Sequence, residues 1–408
     1  MDQPGDQTAE RRRKTRALLG AFLGIGSALS LNSFILSTMA PYFLKEFSWS
    51  KEQWTWLSVV QLLVMVSIPV AGRLADVFGV RRTAAVGALS FPLFLLAIAF
   101  MDGNLTTYFV IYVAQTVICS TTTSTVYTRV VAQAFTRNRG LAMGMAGASA
   151  PLIGAIGSPL ISAFVREHGF RAGYIAVAVF CAVSAVVTLW LLRGVETDGE
   201  RAERAERKHS WEDYRAILAL PAFWLMFAAT LLVNLPFTLA TTQIKLVVGE
   251  QGLDDAAAAL MVTALGIAGV AGRFVFGFAI DRLSPSRVAA FGFALPVIGL
   301  LLLASPIDSL AAVLTAIVLI GAAFGSEADV IPFLVTRYFG IRVFGTVLGL
   351  LTAAMGSAMA LGNVLLALIQ RQGFGFNGYL WFAAVAAFIG SSLFLLLGTR
   401  RFEPLPQS

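Results

Sequence analysis

Residues 72–82 read Gly-Arg-Leu-Ala-Asp-Val-Phe-Gly-Val-Arg-Arg, and residues 277–287 read Gly-Phe-Ala-Ile-Asp-Arg-Leu-Ser-Pro-Ser-Arg. Both place Gly-x-x-x-Asp and its following bases at the end of a long apolar run, and both overlap or follow an Ala-Gly-Arg tripeptide (71–73 and 271–273). A second echo joins 134–144, "AFTRNRGLAMG", with 337–349, "RYFGIRVFGTVLG". The chain is therefore read as two copies of one unit.

The surroundings of these stretches identify the solvent. Of 408 residues, 57% are hydrophobic and only 13% charged, and the mean hydropathy is +0.78. Soluble domains carry about a quarter charged residues, so this composition calls for lipid. A hydrocarbon core takes about 20 helical residues to cross. Apolar runs of that length lie near 17–43, 54–75, 83–101, 106–134, 141–165 and 172–192, then near 219–248, 256–280, 288–305, 309–336, 345–369 and 379–398. The expected fold is an all-α membrane protein of twelve transmembrane helices in two six-helix halves. An outer-membrane barrel is excluded, because its strands would alternate apolar and polar residues.

The expected organisation is a basic N-terminus (1–16), a first half (17–193), a central linker (194–218), a second half (219–398) and a short tail (399–408). Twelve crossings leave both termini on one face. The connections on that face hold 21 Lys and Arg and the opposite ones 5, which by the inside-positive bias makes the termini cytoplasmic. The bases of 11–16 lead directly into the first run, so that run reads as a retained span and not a cleaved signal. The net charge of +7 belongs to this topology and not to nucleic acid. Cys119 and Cys181 lie inside apolar runs, and the two histidines, His168 and His209, lie outside them. No disulfide framework, metal cluster or enzyme constellation follows from these residues. No ATP-binding loop G-x-x-x-x-G-K-[ST] is present, which leaves ion gradients as the energy source. Duplicated six-helix halves imply a transporter with its site at mid-membrane.

Ionisable residues inside spans are functional candidates by default. Arg273 lies eight residues, about 12 Å, inside Asp281. That is deeper than its side chain can snorkel, and its planar fork of donors suits a carboxylate. Asp329 lies eight residues inside Arg337, at the same depth, and Glu327 two residues further out on another helix face. Desolvation favours the neutral form of such an acid, and a neighbouring Arg favours the charged form. An anion that competes for Arg273 would thus couple to proton binding, through Asp329 or Glu327. Tyr127, eight residues inside Phe135, shares this depth and could donate to a substrate. Asn32 and Asn363 are weaker candidates for cavity lining. Lys245 reads as an entrance charge near the outer end of its span, and Arg129 as a base that snorkels to the inner edge.

The pattern G-x-x-x-D-[RK]-x-G-[RK]-[RK] is the loop signature of the major facilitator superfamily, which the chain resembles from about 17 to 400. The first copy has Val77 for the first base, and the second has Ser284 for the second glycine. The resemblance implies a central cavity lined by helices one, four, seven and ten. It also implies that Asp76, Arg81, Arg82, Asp281 and Arg282 pair with helix ends to hold one face shut. Ala-Gly-Arg273 before Asp281, "RNRGLAMG", "REHGFRAGY" (166–174) and "EADVIPFLVTRYFGIRVFG" (327–345) resemble the monocarboxylate and oxalate–formate porter branch, in its bacterial members. In that branch the helix-eight arginine binds the substrate carboxylate, and Arg273 matches it. The second base that oxalate–formate exchangers carry in helix eleven is missing, since 345–370 holds no charge. The helix-one lysine and the aspartate before the arginine of animal monocarboxylate carriers are missing too.

The expected function is secondary transport of a small organic monocarboxylate with a proton, in the inner membrane of a bacterium. The expected partners are that carboxylate and the lipid bilayer, with no nucleic acid, and the expected state is a monomer. No cofactor is implied beyond the coupling proton. An exchanger or exporter of a larger, aromatic anion is the alternative within transport. A non-transporting membrane sensor is the alternative from another class, disfavoured by a longest polar stretch of about 25 residues.

Overall fold

The computed structural model describes residues 4–49, 60, 62–195, 211–237, 255–306 and 309–399. Every regular element among them is helical. The first part of the chain gives α1 (Pro4–Gly26), α2 (Asn32–Glu46), α3 (Leu62–Phe78), α4 (Val80–Ala99), α5 (Leu105–Cys119), α6 (Ser124–Ala134), α7 (Arg139–Gly147) and α8 (Ser149–Leu191). The second gives α9 (Trp211–Ala219), α10 (Pro221–Asn234), α11 (Asp255–Ile280), α12 (Pro285–Ala304), α13 (Leu310–Phe339), α14 (Phe344–Arg371) and α15 (Gly375–Thr399).

Eight stretches of the described residues are long and apolar enough to cross a membrane, or nine if the bent pair of α1 with the start of α2 counts as one. One of the eight, Arg139–Leu191, has 53 residues, about 80 Å at 1.5 Å per residue and more than twice the hydrocarbon thickness. It folds back at Gly169, whose φ of 82° is reached without strain only by glycine. That gives two crossings where one continuous helix would overrun the bilayer. Together with the shorter helices α3 and α10, these give the twelve-helix layout. Large apolar side chains remain on the outside, Val66 at 70% and Phe291 at 67% exposure among them. Patches of this kind mark a lipid-facing surface.

The chain divides into two compact units. Unit 1 comprises 1–136, 145–210 and 341–350; unit 2 comprises 137–144, 211–340 and 351–408. In unit 1, α8 packs on α4, α1 and α2, and α6 packs on α1, α3 and α4. Two of its spans are broken, which the sequence did not suggest. Between α5 and α6 the hydroxyls of Ser120, Thr121, Thr122 and Thr123 each donate to the carbonyl three residues back, at 2.6–2.9 Å. Such back-bonding competes with the helical ladder and tightens 120–122 into a 3₁₀ turn. A matching 3₁₀ turn, Leu29–Leu31, separates α1 from α2, and its Leu29 amide donates to Thr122 Oγ1 at 3.4 Å.

In unit 2, α11 lies along α13 and α12 lies against α13 and α15. The α11–α13 crossing is close because both helices present glycine to it. A Cβ on Gly321 would stand 2.7 Å from the Leu265 carbonyl oxygen, and one on Gly325 would overlap the carbonyl of Gly269. Small residues four apart let membrane helices approach backbone to backbone. The ladder Leu265–Gly321, Gly269–Gly325 advances four residues on each helix, and its next rung is Arg273–Asp329. Gly325→Val should therefore wedge the crossing open and cost about 1–3 kcal/mol of stability. Gly266→Val, where nothing lies within 4 Å of an added Cβ, should leave it unchanged. Thermal unfolding of the purified variants in detergent checks the pair.

Candidate functional site

Two clusters follow from the duplicated Gly-x-x-x-Asp. In unit 1, the buried Asp76 carboxylate at the end of α3 accepts from the Gly345 amide at 3.0 Å, the Thr346 amide at 2.6 Å and the Thr346 hydroxyl at 2.7 Å. It also accepts from Arg129 Nη1. The donors of 345–346 open α14, so the carboxylate sits where the exposed amides and the helix dipole favour negative charge. In unit 2, Asp281 accepts from the Gly140 and Leu141 amides at 2.8 and 3.0 Å, at the start of α7.

A shift of 205 residues carries Asp76 to Asp281, Gly72 to Gly277, Gly140 to Gly345 and Gly144 to Gly349. The packing repeats with the same shift. A Cβ on Gly345 would strike the Gly72 carbonyl, and one on Gly140 the Gly277 carbonyl. One turn on, Gly349 lies against Ile68 and Pro69, and Gly144 lies 3.0 Å (to an added Cβ) from the Arg273 carbonyl oxygen. The two sequence echoes are thus the two sides of one contact, a loop aspartate on a helix N-terminus above crossed glycines.

The copies differ in what is attached. The first adds Arg129, whose counterpart in the second is Leu334. Arg129 is buried at 5% exposure, so it is an internal partner of Asp76 and not a base snorkelling to the membrane edge. The second has Arg273 where the first has Ile68. The turn glycine differs as well. Gly79 opens α4 with φ 87°, whereas Ser284 opens α12 from extended backbone with Pro285 in the first turn. Proline there fixes the helical φ and lacks the amide that would go unbonded, so the fold keeps its turn without the glycine.

Arg273 and Asp329 form the other cluster. Their closest atoms, Nη1 and Oδ1, are 3.7 Å apart, an ion pair too long for a hydrogen bond. The Asp329 side chain is 1% exposed and that of Arg273 15%. Among the described residues neither Asp329 oxygen has a hydrogen-bond partner. Buried polar groups are seldom left so, and those that are call for a reason. Glu327 also lies within electrostatic reach of Arg273 but is better held, accepting from Asn234 Nδ2 on α10, which also donates to the Thr230 carbonyl at 2.8 Å. Asn234 is 2% exposed. It is absent from the candidates that the sequence yields; its only signal there is a lone amide in "TLLVNLP" (230–236).

The remaining candidates are more dispersed. Tyr127 lies in unit 1, fully buried, with its ring against Gly24 and its hydroxyl without a hydrogen-bond partner among the described residues. Asn32 is buried at the start of α2. Asn363 is exposed on α14 and donates to the Met359 carbonyl one turn back. Arg81 donates to the Leu189 carbonyl at 3.1 Å. It joins Arg16, which donates to Trp190 and Leu191, around the C-terminus of α8, where cations oppose the negative end of the helix dipole. Arg82 is exposed, and Arg282, in the turn after α11, stacks over Phe278 in that helix's last turn. Lys245 lies outside the described residues. No group of three or more His, Cys, Asp or Glu among the described residues could hold a metal.

The Major Facilitator Superfamily model matches residues 21–362 and 235–408. No curated protein matches the chain. The *E. coli* fucose:proton symporter FucP superposes with a TM-score of 0.74 at 14% identity, over 96% of this chain and 98% of that one. A bacterial homologue of the iron transporter ferroportin, in an outward-facing state, gives 0.72 at 16%, over 95% and 100%. The human organic anion transporter MFSD10 gives 0.68 at 16%, over 97% and 99%. These likenesses concern the fold; their named substrates are unlike one another, and the substrate of this chain has to be argued from its own residues.

The two loop aspartates should differ in stability. Asp76→Asn leaves Arg129 buried without that counter-charge, a loss in the range of about 3–5 kcal/mol seen for broken buried pairs. Asp281→Asn weakens charge-to-amide contacts and the electrostatic interaction with Arg139, and should cost about 0.3–1 kcal/mol. Replacing Arg129 by Met alongside Asp76→Asn should recover much of the larger loss. Thermal unfolding of the three variants reads out the order.

Proposed function

The chain belongs to the Major Facilitator Superfamily, and we propose that it is a secondary active transporter of small organic monocarboxylate anions that carries a proton with each anion. The observation that supports this is the Arg273–Asp329 pair, an ion pair without a hydrogen bond on two helices that cross a membrane. A guanidinium presents two parallel donors to one carboxylate. Asp329 engages them only at 3.7 Å, so a substrate carboxylate that takes both has the better geometry. Once it does, Asp329 gives up its counter-charge and a proton neutralises it. Anion and proton then bind together, and linkage requires each to strengthen the other's binding by the same factor. Glu327, already bonded to Asn234, is the less suited of the two acids to this exchange. Arg273 offers the substrate one guanidinium fork, which favours one carboxylate over two, consistent with the resemblance to the monocarboxylate branch.

In this reading the Asp76 and Asp281 contacts close the cytoplasmic face, the side to which the 21 bases assign both termini. The membrane is then the inner membrane of a bacterium.

Arg273→Lys should weaken substrate binding about 10- to 100-fold, the worth of a charge-assisted bidentate pair at roughly 1.5–3 kcal/mol. Affinity within twofold of the parent, by calorimetry, removes Arg273 from the site. Asp329→Asn imitates the protonated acid. It should still exchange substrate in counterflow while losing accumulation driven by a pH gradient, and Glu327→Gln should retain accumulation. If both variants accumulate like the parent, coupling lies elsewhere or transport is uniport.

A further inference from the structure

Gly144 stands at the meeting of the two clusters in unit 2. The start of α7 is held by Asp281 through the Gly140 and Leu141 amides. Four residues later, about 6 Å along the helix, a Cβ on Gly144 would stand 3.0 Å from the Arg273 carbonyl oxygen and 3.4 Å from Asp329 Oδ2. A single helical turn therefore spans from the loop aspartate to the ion pair, and a turn of helix moves as one piece.

We infer that Gly144 is a positioning residue that ties the hold on α7 at Asp281 to the surroundings of the Asp329 carboxylate. With the amides of α7 held by Asp281, the Gly144 backbone covers one side of Asp329, at a spacing where an added methyl would crowd the Arg273 carbonyl. When α7 leaves Asp281, that cover leaves with it and the carboxylate becomes reachable by protons. The 205-residue repeat supplies the comparison. Gly349 makes the same contact in unit 1 against Ile68 and Pro69, where there is nothing to protonate.

The ionisable groups carried by the elements packed around Asp329 are few. Asp255 and Arg273 belong to α11, with Asp281 and Arg282 just beyond its end, Glu327, Arg337 and Tyr338 to α13, Arg139 to the first residue of α7 and Arg287 to the first turn of α12; α10 offers the neutral Asn234. Arg273 is the one that faces Asp329 as an ion pair among the described residues. The inference rests on the transport reading for its purpose but not for its test.

Full-length protein in lipid nanodiscs is treated over a pH series with dicyclohexylcarbodiimide, which modifies protonated carboxyls in apolar surroundings, and labelling of Asp329 and Glu327 is quantified by peptide mass spectrometry. Gly144→Ala should displace the midpoint of Asp329 labelling by about one pH unit, a tenfold change in proton affinity. Glu327 should keep its profile, and Gly349→Ala should leave both acids unchanged whatever it does to yield. Equal effects of the two alanines on Asp329, or no effect of either, overturn the inference. Should Gly144→Ala fail to fold, Asp281→Asn decides: it weakens the hold on α7 without adding volume and should raise Asp329 labelling several-fold at fixed pH, and unchanged labelling overturns the inference. No substrate is used, so the outcome is independent of whether Asp329→Asn still accumulates substrate, which tests the transport reading.

Discussion

Hydrocarbon offers no hydrogen bonds, so every polar group that a chain takes across a membrane has to be satisfied from within. That constraint sorts the charged residues of this protein. The end of α8 draws Arg16 and Arg81 to its carbonyls, and the starts of α7 and α14 draw Asp281 and Asp76 to their amides. Arg129 is buried with Asp76, and Glu327 has Asn234. Asp329 differs: its nearest cation stays at 3.7 Å, and its oxygens have no hydrogen-bond partner among the described residues. Where the solvent penalises an unsatisfied carboxylate by several kcal/mol, a group in that condition is a candidate for binding something that comes and goes.

Duplication shaped the rest. Glycine at 72, 140, 277 and 345 lets two backbones meet beneath each loop aspartate, and this apolar scaffold is the same in both copies. The copies differ in chemistry at single positions, Arg129 against Leu334 and Arg273 against Ile68. One copy became a buried ion pair beside a helix start. The other gained a cation at mid-helix, which the four-residue ladder of the α11–α13 crossing sets beside Asp329.

Much of this was legible in the sequence, because lipid leaves a strong signature. Run length gave the helices and Gly-x-x-x-Asp gave the repeat. Counting eight residues in from each loop put Arg273 and Asp329 at one level. Local chemistry was harder to read. Ser120–Thr123 looks like ordinary small-residue helix until its hydroxyls are seen bonded back to carbonyls. The distance of Arg129 from the membrane edge allows snorkelling; its burial depends on Asp76, 53 residues away. Asn234 is not legible as a partner, because a single amide in an apolar run has no periodicity to mark it.

The central claim is that one deep guanidinium and one exchangeable acid move a monocarboxylate with a proton. Purified protein in proteoliposomes, offered a panel of labelled mono- and dicarboxylates with and without an alkaline interior, tests it most directly. The account predicts that at least one monocarboxylate accumulates above the level in protein-free vesicles only while the pH gradient stands, that a protonophore abolishes the excess, and that dicarboxylates do not accumulate. Dicarboxylate accumulation equal to that of the monocarboxylates, or no gradient-driven excess for any member of the panel, would contradict it.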